Sequence, residues 1–254
     1  MNLQNILHDI EQVDGDYVER IEHVTRRHMF SLIAKRATAA AAPVVLGAAL
    51  NKAYADQATV VDVLNFALLL EYLEAEFYNV GMDTPGLLTG TARTVYSQIQ
   101  KHENAHVKLL RTALGSAAIS KPGFDFSYKG AFPDVLTNYY TYIAVSQALE
   151  DTGVRAYKGQ APRLINDDSV LQVALQIHSV EAKHAARVRV LNGMKGWITL
   201  NQGSPAAVYA GEEATMHLEI SSIIQGVPIE NSTEAWDEPL SKADVLKIAT
   251  PFLA

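Results

Sequence analysis

Four long stretches with the periodicity of an α-helix constrain this chain more than any other feature. They cover approximately residues 60–79, 91–114, 133–158 and 168–191. A short connection joins the first stretch to the second and the third to the fourth, which predicts two antiparallel helical hairpins. The remaining connection, residues 116–132, is longer, and its 17 residues reach about 56–61 Å when extended. The sequence therefore predicts an all-α fold, a four-helix bundle in which one long crossover joins the two hairpins.

Glutamates and histidines recur at matching places in the four predicted helices. The first and third helices each supply one glutamate, and the second and fourth each supply a Glu-x-x-His pair. The six candidate metal ligands are Glu71, Glu103, His106, Glu150, Glu181 and His184. Residues three apart share a helix face, so each pair directs a carboxylate and an imidazole to one point. Because four carboxylates offset the charge of two divalent cations, the set predicts a site for two metal ions. Glu103, Glu150 or one of their partners is expected to bridge the ions.

The same spacing in both halves indicates an internal repeat. Glu71 precedes Glu103 by 32 positions, and Glu150 precedes Glu181 by 31. Each of the two single glutamates is followed seven positions later by a tyrosine, and two helical turns place both tyrosines on the ligand face. These tyrosines, Tyr78 and Tyr157, are candidate catalytic groups beside the ligands. The two halves are therefore predicted to surround one site with pseudo-two-fold symmetry.

The repeat also separates the predicted ligands from their neighbours. Glu74 corresponds to Gly153 in the second half, so it is predicted to lie outside the symmetric set. His102 and His178 have no histidine counterpart, which favours surface positions or hydrogen bonds to a ligating imidazole. A plain helical bundle with coincidental charges is the alternative. It is disfavoured because buried carboxylates and imidazoles cost free energy unless a cation pairs with them.

Composition narrows the chemistry of the site and the class of partner. The chain has no cysteine, which excludes disulfides, thiolate metal sites and cysteine nucleophiles. Oxygen and imidazole ligands suit iron or manganese, although zinc is not excluded by them. The net charge of −7, without a clustered basic face, argues against a nucleic-acid partner.

Residues 1–56 have the parts of an export signal. Arg26 and Arg27 precede an alanine-rich run over residues 37–50, and Ala-Tyr-Ala at 53–55 is typical of a cleavage site. The paired arginines resemble those of a twin-arginine signal, so export machinery is an expected partner and a periplasmic or exported location is expected. The alternative is an N-terminal helix that packs on the bundle or on a partner, with a cytoplasmic location.

A C-terminal extension, residues 196–254, follows the bundle domain, which is predicted to cover residues 57–195. Residues 196–240 show no sustained helical period. A short terminal helix is predicted to begin near Ser241, which forms a capping box with Asp244, and to end before Pro251.

These motifs resemble those of the ferritin-like family. The order Glu, Glu-x-x-His, Glu, Glu-x-x-His is similar to that of ferritin-like di-iron and di-manganese carboxylate proteins. The Glu-x6-Tyr spacing resembles that of ferritins and rubrerythrins. Trp-Asp-Glu-Pro-Leu at 236–240, and the leader, resemble those of bacterial ferritin-like domain proteins related to desiccation-associated proteins. The resemblance implies a ferritin-like metal bundle from about Val60 to the end of the chain, but it implies no settled activity.

Two classes of function follow from these observations. The first is a redox protein whose two iron or manganese ions react with dioxygen or peroxide, with ferroxidase, peroxidase or catalase-like activity. The second is a structural or stress protein in which the metal pair contributes folding energy. A storage cage ranks below both because a long C-terminal extension fits poorly into a compact shell. Assembly into a homo-oligomer stays open.

Overall fold

A bundle of four helices forms the centre of the computed structural model, which describes residues 57–213, 226–228 and 230–254. The helices are α1 (Gln57–Asp83), α2 (Gly90–Leu114), α3 (Tyr139–Gln160) and α4 (Asp168–Leu191). Helix α1 packs along α2, and α3 packs along α4. The crossover, residues 115–138, joins the two hairpins. The prediction of an all-α bundle with one long crossover is confirmed.

The predicted leader, residues 1–56, lies outside the described residues, so the export signal stays a prediction. Within the described ranges, no helix combines the length and the apolar content needed to cross a membrane.

The third helix begins at Tyr139, six residues later than the predicted start at residue 133, which is therefore wrong. The side chain of Asn138 caps the helix by accepting a hydrogen bond from the backbone nitrogen of Tyr140 at 3.0 Å. The Asn138 amide also donates to the Asp134 carboxylate at 2.8 Å. Asparagine is a preferred N-cap residue because its side chain satisfies a backbone donor that the first helical turn leaves unpaired. The preceding residues therefore form a turn instead of a helix.

The first helix continues past its predicted end near Gly81 and stops at Asp83. Gly81 lies against the ring of Tyr142, and a Cβ added at this glycine would come within 2.2 Å of the tyrosine hydroxyl. The ring of Tyr142 in turn stacks on Phe77, with ring centroids 4.4 Å apart. Gly81 therefore allows α1 and α3 to approach closely and does not end the helix.

The C-terminal extension packs on the bundle. It contains α5 (Glu230–Ala235) and α6 (Lys242–Ala249), and α6 contacts α3. The side chain of Ser241 accepts a hydrogen bond from the backbone nitrogen of Asp244 at 3.2 Å, which confirms the predicted cap. The end of the chain then pairs with the crossover, because the Asp125 nitrogen donates to the Phe252 carbonyl oxygen at 2.7 Å.

Arg155 connects this extension to α3. Its guanidinium is fully buried and donates to the backbone oxygens of Val208, of Ala210 at 2.6 Å and of Glu238 at 2.7 Å. Its Nε atom also lies 3.1 Å from the carboxylate of the buried Glu212. The extension thus covers the outer face of α3.

Candidate metal centre

The six predicted ligands lie together in the interior of the bundle. The four glutamates are 0% exposed, and the histidines are 8% and 4% exposed. The set is Glu71 on α1, Glu103 and His106 on α2, Glu150 on α3, and Glu181 and His184 on α4. The Glu-x-x-His spacing places both side chains of each pair on the inner face of one helix, as the repeat predicts.

His106 stands at the centre of the first of two groups. Its Nδ1 atom lies 3.1 Å from Glu71 Oε2 and 3.3 Å from Glu103 Oε2. The same atom lies 3.2 Å from Glu181 Oε1. These four residues each offer a ligand atom, and the four atoms lie within 4.8 Å of one another. One cation placed among them is within reach of three carboxylates and one imidazole.

His184 stands at the centre of the second group. Its Nδ1 atom lies 2.8 Å from Glu103 Oε1, 3.5 Å from Glu150 Oε2 and 3.9 Å from Glu181 Oε1. Glu103 and Glu181 belong to both groups. Glu103 presents Oε2 to His106 and Oε1 to His184, which is the arrangement that a bridging carboxylate requires. Glu150 belongs only to the second group, so the structure favours Glu103 and Glu181 as the shared pair.

Several atoms of the cluster are buried without a hydrogen-bond partner. They are Glu103 Oε1, Glu150 Oε2, both carboxylate oxygens of Glu181, and Nδ1 of His184. The close approach of His184 Nδ1 to Glu103 is not aligned for a hydrogen bond. Buried polar atoms are normally paired because an unpaired one costs the free energy of its lost hydration. Oxygen and imidazole donors in this number fit two cations such as iron or manganese.

The buried carboxylates have strongly shifted acidities. Burial raises the pKa of Glu71 to about 7 and raises the pKa values of Glu150 and Glu181 as well. Burial also acts to raise the pKa of Glu103, but its contacts with the two histidine rings lower that pKa below the ordinary value. For His184, burial acts to lower the pKa, and the charges of neighbouring carboxylates raise it to about 11. Protons therefore balance the negative charge of this cluster wherever cations do not.

The two predicted tyrosines cross between the halves of the repeat. Tyr78 of the first half donates a hydrogen bond to Glu150 of the second. Tyr157 of the second half donates to Glu71 of the first, at 2.5 Å. Both hydroxyls are buried, and each orients the glutamate that belongs to one group only. The spacing placed both tyrosines on the ligand face, but it did not indicate this exchange of partners.

Glu74 is a further buried carboxyl group beside the cluster, but it belongs to neither group of four. It is 3% exposed, and burial together with the charge of Glu181 raises its pKa well above the ordinary range. Its carboxyl group occupies space opposite Gly153, where an added Cβ would lie 3.1 Å from Glu74 Oε1. The sequence offered one signal for this buried position, namely that Glu74 corresponds to a glycine in the repeat. A glycine on α3 leaves room for the glutamate side chain.

His102 and His178, the two other histidines that the sequence pattern singled out, differ in their surroundings. His102 Nδ1 lies 2.8 Å from Nε2 of the predicted ligand His184. His178 instead contacts the backbone of Val154 on α3. Of the two, only His102 therefore shows the hydrogen bond to a ligating imidazole that the sequence left open.

Comparison with known proteins agrees with this geometry. A family model described as the ferritin-like domain matches residues 59–194. No curated protein sequence shows a significant match to the chain. The matched range holds 136 of the 254 residues and contains α2, α3 and α4, nearly all of α1, and all six residues of the cluster. A buried set of glutamates and histidines able to bind metal thus lies within a matched helical bundle, and the chain belongs to the ferritin-like domain family.

Proposed function

We propose that this protein binds two iron or manganese ions at the glutamate and histidine cluster and reacts with dioxygen or peroxide. The observation that carries the proposal is the overlap of two four-residue groups at Glu103 and Glu181. Two ions that shared these carboxylates would be close enough to act as a pair. Four ionised carboxylates and two neutral imidazoles balance two divalent cations, which makes the filled site neutral and suits its burial.

The chain supplies the positions of the ligands and the environment of the site. Glu71 and His106 would hold one ion, Glu150 and His184 the other, and the shared glutamates would bridge them. Paired iron or manganese ions, when bound, supply electron transfer to dioxygen or peroxide. The phenols of Tyr78 and Tyr157 fix the outer glutamates by hydrogen bonds, and their burial raises both pKa values, so they remain protonated. Each phenol therefore holds its proton at an oxygen of a ligand glutamate, directly beside the proposed site.

A small apolar cavity beside Tyr157 supports access of an uncharged substrate. It lies between α1, α3 and α4, with Leu70, Ala156 and Ile177 among its lining residues. Tyr157 lines the cavity and its hydroxyl donates to the ligand Glu71, so the cavity adjoins the cluster. Dioxygen is apolar and partitions into such space more readily than an ion does.

Metal analysis followed by a reaction assay tests the proposal. Protein purified without added metal is analysed for iron and manganese, then loaded with Fe²⁺ or Mn²⁺ and exposed to dioxygen or hydrogen peroxide. We expect about two ions per chain and metal-dependent consumption of one of the oxidants. The Glu150→Gln variant, which loses one ligand, is the matched control and should consume much less. Absence of metal binding in the parent protein would contradict the proposal.

A structural role for the metal pair is the second candidate, and the burial of the ligands favours it. The four buried ligand glutamates, with the buried Glu74 beside them, make the metal-free interior costly, so metal binding would contribute directly to folding. Metal that raises the unfolding temperature without any consumption of dioxygen or peroxide would select this role over the redox one.

A further inference from the structure

A chain of three side chains leads from the cluster towards the surface behind His184. His184 Nε2 lies 2.8 Å from His102 Nδ1, and His102 Nε2 lies 2.7 Å from the side-chain amide of Gln98. The two imidazole planes are within 15° of parallel, and their centroids are 5.1 Å apart. With nitrogens only 2.8 Å apart, this separation means that the rings meet edge to edge in nearly one plane. That is the geometry in which an N–H bond of one ring points at the lone pair of the other.

Metal binding fixes the direction of the first hydrogen bond. His184 faces the ligand cluster with Nδ1, so an ion on that atom leaves the ring hydrogen on Nε2. The Nε2–H group then donates to His102 Nδ1. His102 in turn carries its own hydrogen on Nε2 and donates it to the oxygen of the Gln98 amide, whose two ends exchange places by rotation about one bond. Each of these three side chains thus has a hydrogen-bond partner when His184 holds a metal.

The corresponding residue in the other half of the repeat offers no such support. Glu103 corresponds to Glu181, so His102, one residue before Glu103, corresponds to Val180. By the same symmetry, Val180 occupies the position from which a side chain would support His106. Valine has no side-chain nitrogen or oxygen and accepts no hydrogen bond. The two halves therefore share their ligands but differ in what orients their imidazoles.

We propose that His102 is a positioning residue for His184 and makes the two metal positions unequal, the ion beside His184 being held more tightly for this reason. The inference rests on the proposed metal-binding function. Hydrogen-bond partners of ligating imidazoles commonly contribute 10–100-fold to metal affinity because they fix the tautomer and the ring orientation.

Substitutions at His102 separate the hydrogen bond from the ring itself. His102→Phe keeps an aromatic ring beside His184 but removes the acceptor. His102→Asn shortens the side chain but places an amide oxygen near the site of Nδ1. Val180→Ala is the matched control, because it changes the corresponding position behind His106. Each metal-free protein is titrated with Co²⁺, and binding is followed by calorimetry and by the visible absorption of the bound ion.

We expect the parent to bind two Co²⁺ ions and His102→Phe to lose about 10–100-fold in affinity for one of them, with a changed absorption spectrum for that ion. His102→Asn and Val180→Ala should resemble the parent. Equal affinities and spectra for His102→Phe and the parent would overturn the inference but leave the proposed function standing. Equal weakening of both ions, or a His102→Asn variant as weak as His102→Phe, would also overturn it. A parent that binds no Co²⁺ would overturn the proposed function, and the inference with it.

Discussion

Glu74 and Glu150 are both buried glutamates beside the same cluster, yet their carboxyl groups have different surroundings. Glu150 accepts a hydrogen bond from Tyr78 and lies 3.5 Å from Nδ1 of His184. Glu74 lies on α1 one turn after Glu71, near the carboxylate of Glu181, and belongs to neither four-residue group. The internal repeat predicted this distinction because Glu74 has a glycine as its counterpart. Burial alone does not distinguish the two glutamates, since both side chains are almost fully buried.

Metal stoichiometry of two matched variants tests the distinction. Glutamine keeps the shape of glutamate but loses the charge, so Glu150→Gln and Glu74→Gln change only the chemistry of each group. We expect Glu150→Gln to retain about one ion per chain or fewer, because one outer ligand of the His184 position is lost. Glu74→Gln should retain about two ions, as in the parent. Plasma emission analysis after loading with Fe²⁺ or Mn²⁺ gives both numbers, and equal metal content in the two variants would contradict the ligand assignment.

At the scale of the helix, α3 is buried on nearly all sides, which its sequence pattern does not indicate. A bundle helix ordinarily has one apolar face and one solvated face. On α3, however, nearly every residue from Tyr142 to Tyr157 is buried, and polar groups such as Asp151 and Arg155 are included. Asp151 pairs with Arg189 at 2.6 Å and accepts a hydrogen bond from Tyr209 at 2.7 Å. These partners lie far along the chain, so periodicity within α3 was unable to indicate them.

Replacement of Arg155 tests how strongly the extension is held. Arg155→Met removes the donors to three backbone oxygens and the ion pair with the buried Glu212. Loss of one member of a buried pair typically costs about 3–5 kcal/mol of the free energy of unfolding. The control is Arg163→Met, which breaks a half-exposed pair with Asp62 and should cost about 0–1 kcal/mol. Urea unfolding of the metal-free proteins measures both, and indistinguishable midpoints would show that Arg155 does not secure the extension.

For the whole molecule, the sequence was most informative where the repeat applied. The bundle, the crossover and the six clustered side chains follow from period, spacing and duplication, all of which are local or regularly repeated signals. The late start of α3 depended on the capping of a turn by Asn138, which the helical period does not report. Contacts between distant segments determine the partners of Tyr78 and Tyr157. They also determine where the C-terminal extension packs. Such contacts leave no periodic trace in one sequence.

The collected charge of the interior determines how stability depends on pH. The folded pKa of Glu71, about 7, exceeds its ordinary value of 4.5, so the folded state binds more protons than the unfolded state between these values. Stability from this group is therefore lost as pH rises through that range. His184, with a folded pKa of about 11 against 6.5, loses its contribution as pH rises above 6.5. The lowered pKa of Glu103 changes the pH dependence of stability only below about pH 4.5, so it does not oppose this trend at higher pH.

We therefore expect the unfolding temperature of the metal-free protein to fall between about pH 5 and about pH 8. Metal ions replace the bound protons, so metal affinity should rise with pH and the loaded protein should lose less stability over the same interval. Scanning calorimetry of the metal-free and loaded forms measures the difference between their unfolding temperatures, which should widen as pH rises. Glu71→Gln removes one of the titrating groups and should flatten the decline of the metal-free form between about pH 5 and about pH 7. A metal-free protein that becomes more stable over this interval would show that the buried glutamates are ionised without metal, contrary to the charge balance derived for the cluster.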